Sequence, residues 1–205
     1  MQREPESTRL LVLRHGQSEW NAAGRWQGHA DVPLDDTGRR QAAEAAERVA
    51  ALGAFDAVWA SDLQRALATA EAIAAAVGGR TVQIDARLRE NDVGPWEGLT
   101  QREVEHGWPG YLAARRRPDG FESYADAAAR MTAAFADIAA QHPGGRVVVV
   151  SHGGIIRATR RSLGGIDQHL ANLGGSWFTV GRDGVITAGD LVTADDLDAR
   201  VSEVL

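Results

Sequence analysis

The stretch RVVVVSHGGIIRA, residues 146–158, changes character halfway along. Four consecutive valines form the unbroken apolar run of a strand buried on both faces, the kind found in parallel sheets. The run stops at Ser151, His152 and two glycines, after which apolar residues recur at helical spacing. Strand, polar turn and helix make up the unit from which parallel α/β sheets are assembled. The same change occurs near the start of the chain, where Leu11, Val12 and Leu13 run into Arg14, His15 and Gly16. Two apolar strands thus end in a histidine followed by glycine.

Working outward, RLLVL (9–13), FDAVWA (55–60) and TVQID (81–85) read as strands. GRRQAAEAAERVAALG (38–53), LQRALATAEAIAAAVGG (63–79), YADAAARMTAAFADIAAQH (124–142) and GGIIRATRRSLGG (153–165) read as helices. SWFTVGRDGVITAG (176–189) predicts a closing hairpin turning at Arg182-Asp183-Gly184. Residues 91–122 break the alternation with Gly, Pro and Trp, which predicts a helical lid inserted into the domain. The expectation is one domain over residues 1–205: a three-layer α/β/α sandwich on a mostly parallel sheet.

With 205 residues and 44% hydrophobic content, the chain can bury the core of one such domain. Asp and Glu total 28 against 22 Lys and Arg, a formal charge of −6, so the overall field attracts neither nucleic acid nor an anionic membrane. Every one of those cations is arginine, the side chain suited to bidentate phosphate or carboxylate contacts. Zero cysteines exclude disulfides, thiolate metal sites and cysteine nucleophiles. A polar start, MQREPESTR, and the lack of a long apolar run make the cytoplasm the expected location.

In open α/β sheets ligands bind beyond the carboxyl ends of the strands, which puts His15 and His152 on one rim. Gly153 and Gly154 permit close approach, and the helix they open offers free N–H groups to an anion. Ser61 and Gln64 have capping-box spacing, so the next helix is expected to begin at Ser61. Arg65 then falls in its first turn, where a cation opposes the helix dipole unless an anion faces it. Glu90 follows a strand at the edge of the irregular segment, where partial desolvation suits a general acid. Glu97 competes for that role but reads better as a hydrogen-bond partner within the lid. Trp26, Trp96 and Trp108 read as packing residues.

Two histidines, two arginines and a carboxyl group suit phosphoryl transfer. Arg14 and Arg65 clamp phosphate oxygens, His15 attacks phosphorus with its basicity lowered by the flanking cations, and His152, if protonated, adds a donor. Glu90 supplies a proton to the leaving alkoxide.

The ordered set RHG, SEWN, GRWQGHADVPLDDTGRRQA, SDLQRALATA, LRENDVGPWEGLT and VVVVSHGG resembles the histidine phosphatase, or phosphoglycerate-mutase-like, superfamily from about Leu10 to Gly181. The resemblance implies that His15 becomes phosphohistidine and that Arg14, Arg65 and His152 form the phosphate pocket. It implies further that Glu90 donates the proton, that Asn21 and Gln27 line the pocket, and that no metal or cofactor is required. Phosphate-binding residues are then Arg14, Asn21, Gln27, Arg65, His152 and Gly153. Ser18 stands where relatives often have Thr, and DGFES (119–123) where a double glycine is usual.

NDVGPWEGLT and the lack of lysine favour a phosphatase acting on a small phosphorylated metabolite over a mutase primed by 2,3-bisphosphoglycerate. A phosphate- or phosphoprotein-binding module without catalysis is the reading from another class. Arg115-Arg116-Arg117 offers either a site for a second acidic group or a solvated face. The ending DARVSEVL (198–205) is similar to those of actinobacterial members acting on glucosyl-3-phosphoglycerate, which makes that ester, or another phosphoglycerate or sugar phosphate, the expected substrate class. The hairpin offers either a free edge or a homodimer contact.

Overall fold

The alternation of strands and helices closes into one six-stranded sheet in the computed structural model, which describes residues 7–193. The expectations resting on the first residues of MQREPESTR and on DARVSEVL lie outside the described residues. In chain order the elements are β1 (Thr8–Arg14), α1 (Glu19–Ala22), α2 (Asp36–Ala51), β2 (Ala57–Ala60), α3 (Gln64–Ala76) and β3 (Val82–Ile84). They continue with α4 (Gln101–Gly107), α5 (Tyr124–Gln141), β4 (Arg146–Ser151), α6 (Gly153–Ser162), β5 (Gly175–Val180) and β6 (Ile186–Val192). The strand order is β3-β2-β4-β1-β5-β6. The first four strands in that order are parallel, and the β5–β6 hairpin is added antiparallel to β1.

Period-two alternation sends each buried strand's side chains to both faces. Leu10, Val12, Val147 and Val149 pack with Met131, Phe135 and Ile138 of α5 and with Ile155 and Ile156 of α6. Leu11, Leu13, Val148 and Val150 pack with Ala46 and Val49 of α2 and with Ala66, Ala70 and Ile73 of α3. The alanine-rich faces of α2 and α3 let backbone approach sheet closely, and the three expected layers result. Among the described residues no helix is long and apolar enough to cross a membrane.

The chain leaves β1 toward α2 on one face and leaves neighbouring β4 toward α6 on the other. A crevice therefore opens between their carboxyl ends, where an open α/β sheet binds its ligand. Residues 91–122 fold over it, but less regularly than expected. They contain a single 3₁₀ turn at Gly94–Trp96, one seven-residue helix, α4, and otherwise irregular turns, held by Trp96, Val93 and Val104 with Trp26, Trp108 and Phe121. Trp96 is fully buried and its ring meets Trp26, Trp108 and Phe121 at centroid distances of 5.1–6.3 Å. The tryptophans pack as expected, and they supply the excursion with a small core of its own.

Candidate active site

β1 and β4 run side by side with Arg14 in register with Ser151, so the residues that follow them, His15 and His152, meet at the rim. Their ring centroids lie 5.0 Å apart, and both side chains are buried. A cavity of about 380 Å³ opens against them, lined among others by Arg14, His15, Asn21, Gln27, Arg65, Glu90 and Gly153. The other sequence-selected residues therefore converge on the cavity, whereas His152 is fully buried beside the His15 ring and is not among the residues that line it.

The His15 imidazole lies with Nδ1 2.6 Å from the carbonyl oxygen of Gly16. A carbonyl only accepts, so Nδ1 carries the proton and Nε2 the lone pair. Burial, followed by the charges of Arg65 and Arg14, holds the His15 pKa well below the ordinary histidine range, against a smaller opposing effect of the Gly16 carbonyl. Cations do lower the basicity of His15, as expected from sequence, but burial is the larger cause. The Gly16 N–H donates to Thr69 Oγ1 at 3.1 Å, and that hydroxyl donates to Arg65 O at 2.8 Å, which ties the His15 loop to the helix bearing Arg65.

Arg65 is fully buried in the first turn of α3, with Nη1 donating to Ala30 O and Nη2 to Gly28 O while Nε has no partner among the described residues. Burial lowers its pKa to about 10, still leaving a cation at neutral pH. The helix start differs from the expectation. α3 begins at Gln64, and Ser61 Oγ accepts from Leu63 N as part of the preceding turn. The free end is satisfied from a distance: Asp31 accepts from Gln64 N at 2.7 Å and from its side chain at 3.0 Å. Arg14 Nη1 is fixed by Leu170 O at 2.7 Å.

His152 precedes α6, and neither ring nitrogen has a hydrogen-bond partner among the described residues. Burial, then Arg65 and His15, push its pKa well below the ordinary range. Burial thus favours the neutral ring, which offers one N–H. Ser151 beside it donates to Leu88 O at 2.7 Å and so anchors the segment that leads to Glu90.

Glu90 is half-buried and accepts from Gly154 N at Oε2 and from Ile155 N and Asn91 N at Oε1, all at 2.8–2.9 Å. The acceptor at the N-terminus of α6 is thus a side chain of the protein itself, where the sequence suggested a bound anion. The two glycines serve this arrangement. A Cβ on Gly154 would come within 2.7 Å of Glu90 Oε1, and one on Gly153 within 3.1 Å of Arg14 Cδ. The backbone of Glu90 is held as firmly, its carbonyl accepting from Arg130 Nη2 at 2.8 Å and from His29 Nε2 at 2.9 Å.

Asn21 and Gln27 act both as caps and as lining. Ser18 uses their carbonyl oxygens, donating its N–H to Asn21 Oδ1 and its hydroxyl to Gln27 Oε1. Their amide nitrogens stay available as donors at the cavity wall. Glu97 is exposed, lies outside the lining, and has no side-chain hydrogen bond among the described residues, so the lid-partner reading does not hold. Arg116 lies over Tyr111 and Arg117 over Trp96, Phe121 and Tyr124, so these two cap aromatic rings, and none of Arg115–Arg117 lines the cavity.

Sequence reasoning missed Asn91, Tyr124, Arg157, His169 and Leu170 in the lining, and Asn172, whose Nδ2 donates to His15 O at 2.9 Å. Arg157 had a signal available: it lies one helical turn beyond Gly153 on the same face of α6. The α6–β5 loop has no periodicity to read, and its residues reach the site only through the tertiary fold. Among the described residues no group of three or more His, Cys, Asp or Glu side chains is placed to hold a metal ion.

Known proteins resemble this chain over most of its length. Glucosyl-3-phosphoglycerate phosphatase of Mycolicibacterium vanbaalenii is 41% identical over 170 residues, 77% of this chain and 75% of that protein. Phosphoglycerate mutase-like protein 4 of Arabidopsis thaliana is 41% identical over 156 residues, 73% of this chain and 68% of that protein. The solved structure of a mycobacterial glucosyl-3-phosphoglycerate phosphatase in complex with VO3 superposes with a TM-score of 0.79 at 32% identity, covering 89% of this chain and 96% of that one. The family model of the histidine phosphatase superfamily, branch 1, matches residues 10–175, and the chain belongs to that family.

Proposed function

We propose that the protein is a phosphatase that hydrolyses small phosphate monoesters through a phosphohistidine on His15, using side chains alone. The observation that carries this reading is the tautomer of His15: with Nδ1–H bound to Gly16 O, the free lone pair sits on Nε2 of a neutral ring. Arg14, Arg65 and the N–H of His152 surround that ring and oppose the negative charge of a phosphoryl group without reorganising.

In the first step the Nε2 lone pair attacks phosphorus, the P–O ester bond breaks, and Glu90 gives a proton to the departing alkoxide. Glu90 Oε2 accepts only one N–H, which leaves it the freer oxygen for that proton. In the second step water attacks phosphorus in line, the N–P bond breaks with its electron pair returning to Nε2, Glu90 takes the water proton, and orthophosphate leaves with His15 restored. Asn21 and Gln27 donate to phosphate oxygens, and Gly153 lets Arg14 approach.

The likeness to glucosyl-3-phosphoglycerate phosphatases supports a phosphoglycerate or sugar-phosphate ester as substrate. The net charge of −6 supports a metabolite and not a nucleic acid as partner, in the cytoplasm. The outer edge of β6 is where a second copy would join in a homodimer. The test is a panel comparing kcat/KM for phosphoglycerates, sugar phosphates, nucleotides and α-ribazole phosphate, with rapid-quench labelling. Phosphate release with an acid-labile, base-stable label is expected. Interconversion of phosphoglycerates with little free phosphate would mean a mutase, and binding without turnover a binding module.

A further inference from the structure

The backbone of β1 stays gripped beyond the last pair of its sheet ladder. Antiparallel β5 begins at Gly175, opposite Leu13, and the segment just before it holds the next two residues of β1 and its loop. Gly174 O accepts from Arg14 N at 2.8 Å, Leu173 N donates to Arg14 O at 3.2 Å, and Leu170 O accepts from Arg14 Nη1 at 2.7 Å. Asn172 reaches one residue further, its Nδ2 donating to His15 O at 2.9 Å and to Asn21 Oδ1 at 3.4 Å. The grip strains the chain. Leu173 is buried with φ at +60°, in the left-handed region that a bulky residue adopts only where its surroundings over-determine it. Such strain is stored at functional sites more than elsewhere.

We propose that Asn172 is a positioning residue of the phosphoryl site, holding the backbone of His15 and the side-chain amide of Asn21 in one fixed arrangement. The proposal rests on the phosphatase reading and adds to it a residue that acts only through others. The main chain of His15 has two anchors: its N–H donates to Ser151 O at 3.0 Å, and its carbonyl accepts from Asn172. Removing the second frees the nucleophile on the side away from β4, and a misplacement of about 1 Å at a reacting group can cost about 100-fold in rate. The amide of Asn21 is nearly symmetric in shape, so its partners decide which end is oxygen. Ser18 N and Asn172 Nδ2 both donate to Oδ1, which leaves Nδ2 as the end free to donate to a phosphate oxygen. One side chain thus sets both the attacking group and a donor to the group attacked, and the left-handed Leu173 beside it keeps that side chain in place.

The test uses Asn172→Ala, and Asn172→Asp, which keeps the shape but puts an acceptor where the donor was. Folding is checked by circular dichroism, and kcat is measured on p-nitrophenyl phosphate and on the alkyl ester turned over best in the substrate panel. Both variants should fold and lose about 10–100-fold in kcat, by the same factor on the two esters, because nucleophile and phosphate contact are displaced while proton delivery is untouched. Calorimetric affinity for inorganic phosphate should fall about fivefold in Asn172→Ala, the worth of one hydrogen bond. It should fall little further when Asn172→Ala is added to Asn21→Ala, since Asn172 reaches phosphate through Asn21. A kcat within about twofold of wild type in both variants, a loss confined to the alkyl ester, or independent losses of phosphate affinity in the double variant would overturn the proposal. Failure of both variants to fold would overturn it too, by assigning Asn172 to stability. A wild type that binds phosphate and hydrolyses no ester overturns the phosphatase reading, and the comparison of phosphate affinities then decides the link between Asn172 and Asn21 by itself.

Discussion

The floor of the site and the excursion above it are built in opposite ways. In the floor, His15, His152 and Arg65 sit at the ends of two strands and a helix that pack into the main core, and the strand ends are tied to other segments: the His15 loop to α3 through Thr69, and Ser151 to the segment before Glu90. The excursion contributes lining residues such as Val93 and Phe121 from turns gathered around one tryptophan. The difference teaches that the chemistry is placed on elements that cannot shift without disrupting the sheet, while the part that shapes the mouth has a separate, smaller core. A substitution in the floor should alter reaction rate, and one in the excursion should alter local stability and access.

The largest effect tests the floor. His15→Ala should lower kcat by at least about 10⁴-fold, since in the proposed mechanism it removes the group that forms the covalent bond. Calorimetric binding of inorganic phosphate should persist, because Arg14, Arg65 and His152 remain. Turnover within a hundredfold of wild type would mean that a different group attacks phosphorus. Trp96→Ala then tests the separation. Truncating a fully buried Trp costs about 3–5 kcal/mol, and the loss should fall on the excursion. Hydrogen exchange should quicken across residues 94–121 while amides of β1 and β4 keep their protection. Uniform loss of protection would show that floor and excursion unfold as one unit.

How far each region could be read from sequence follows the same division. The valine run, the apolar end of β1 and the hairpin turn determine their own local structure, so the sheet, its layers and the meeting of His15 with His152 were legible. Glu90 was legible as a carboxyl at a strand end, but its three N–H donors were not, since two come from α6 more than sixty residues away. The start of α3 was misplaced for a related reason: its first N–H is satisfied by Asp31, a long-range partner no capping pattern displays. Arg115–Arg117 looked like a solvated or ligand-binding cluster because sequence does not reveal that aromatic rings from the same excursion lie beneath two of the three.

Arg130 lies between the two regions and sharpens the contrast. Its guanidinium donates to the carbonyls of Arg87, Arg89 and Glu90 and to both oxygens of Glu122, at the end of the excursion. Burial pushes the Glu122 carboxyl up, but the hydrogen bonds and charge of Arg130 outweigh it and hold the group below its usual range. Arg130 is thus a positioning residue for Glu90. Arg130→Gln should lower kcat about 10–100-fold for esters with poor alkoxide leaving groups and much less for p-nitrophenyl phosphate, whose leaving group needs no proton. Equal losses on both substrates would assign Arg130 to general stability.

The smallest effect is a stability slope. His15 and His152 have folded-state pKa values well below the roughly 6.5 of an unfolded chain, both chiefly because they are buried. Above pH 6.5 neither state binds the proton, and their contribution to stability is complete. As pH falls below 6.5 the unfolded chain takes up protons that the folded floor refuses, so stability declines by at most about 1.4 kcal/mol per pH unit for each histidine. Carboxyls held low by arginine, such as Asp62 by the hydrogen bonds of Arg89, begin to lose their contribution only near pH 4, which leaves the interval from 6.5 to about 5 to the histidines. Urea unfolding at pH 7 and pH 5.5 should show the decline, and His15→Ala should show a shallower one. An unchanged midpoint in wild type would mean that the floor admits protons, and the neutral Nε2 on which the proposed chemistry depends would lose its physical basis.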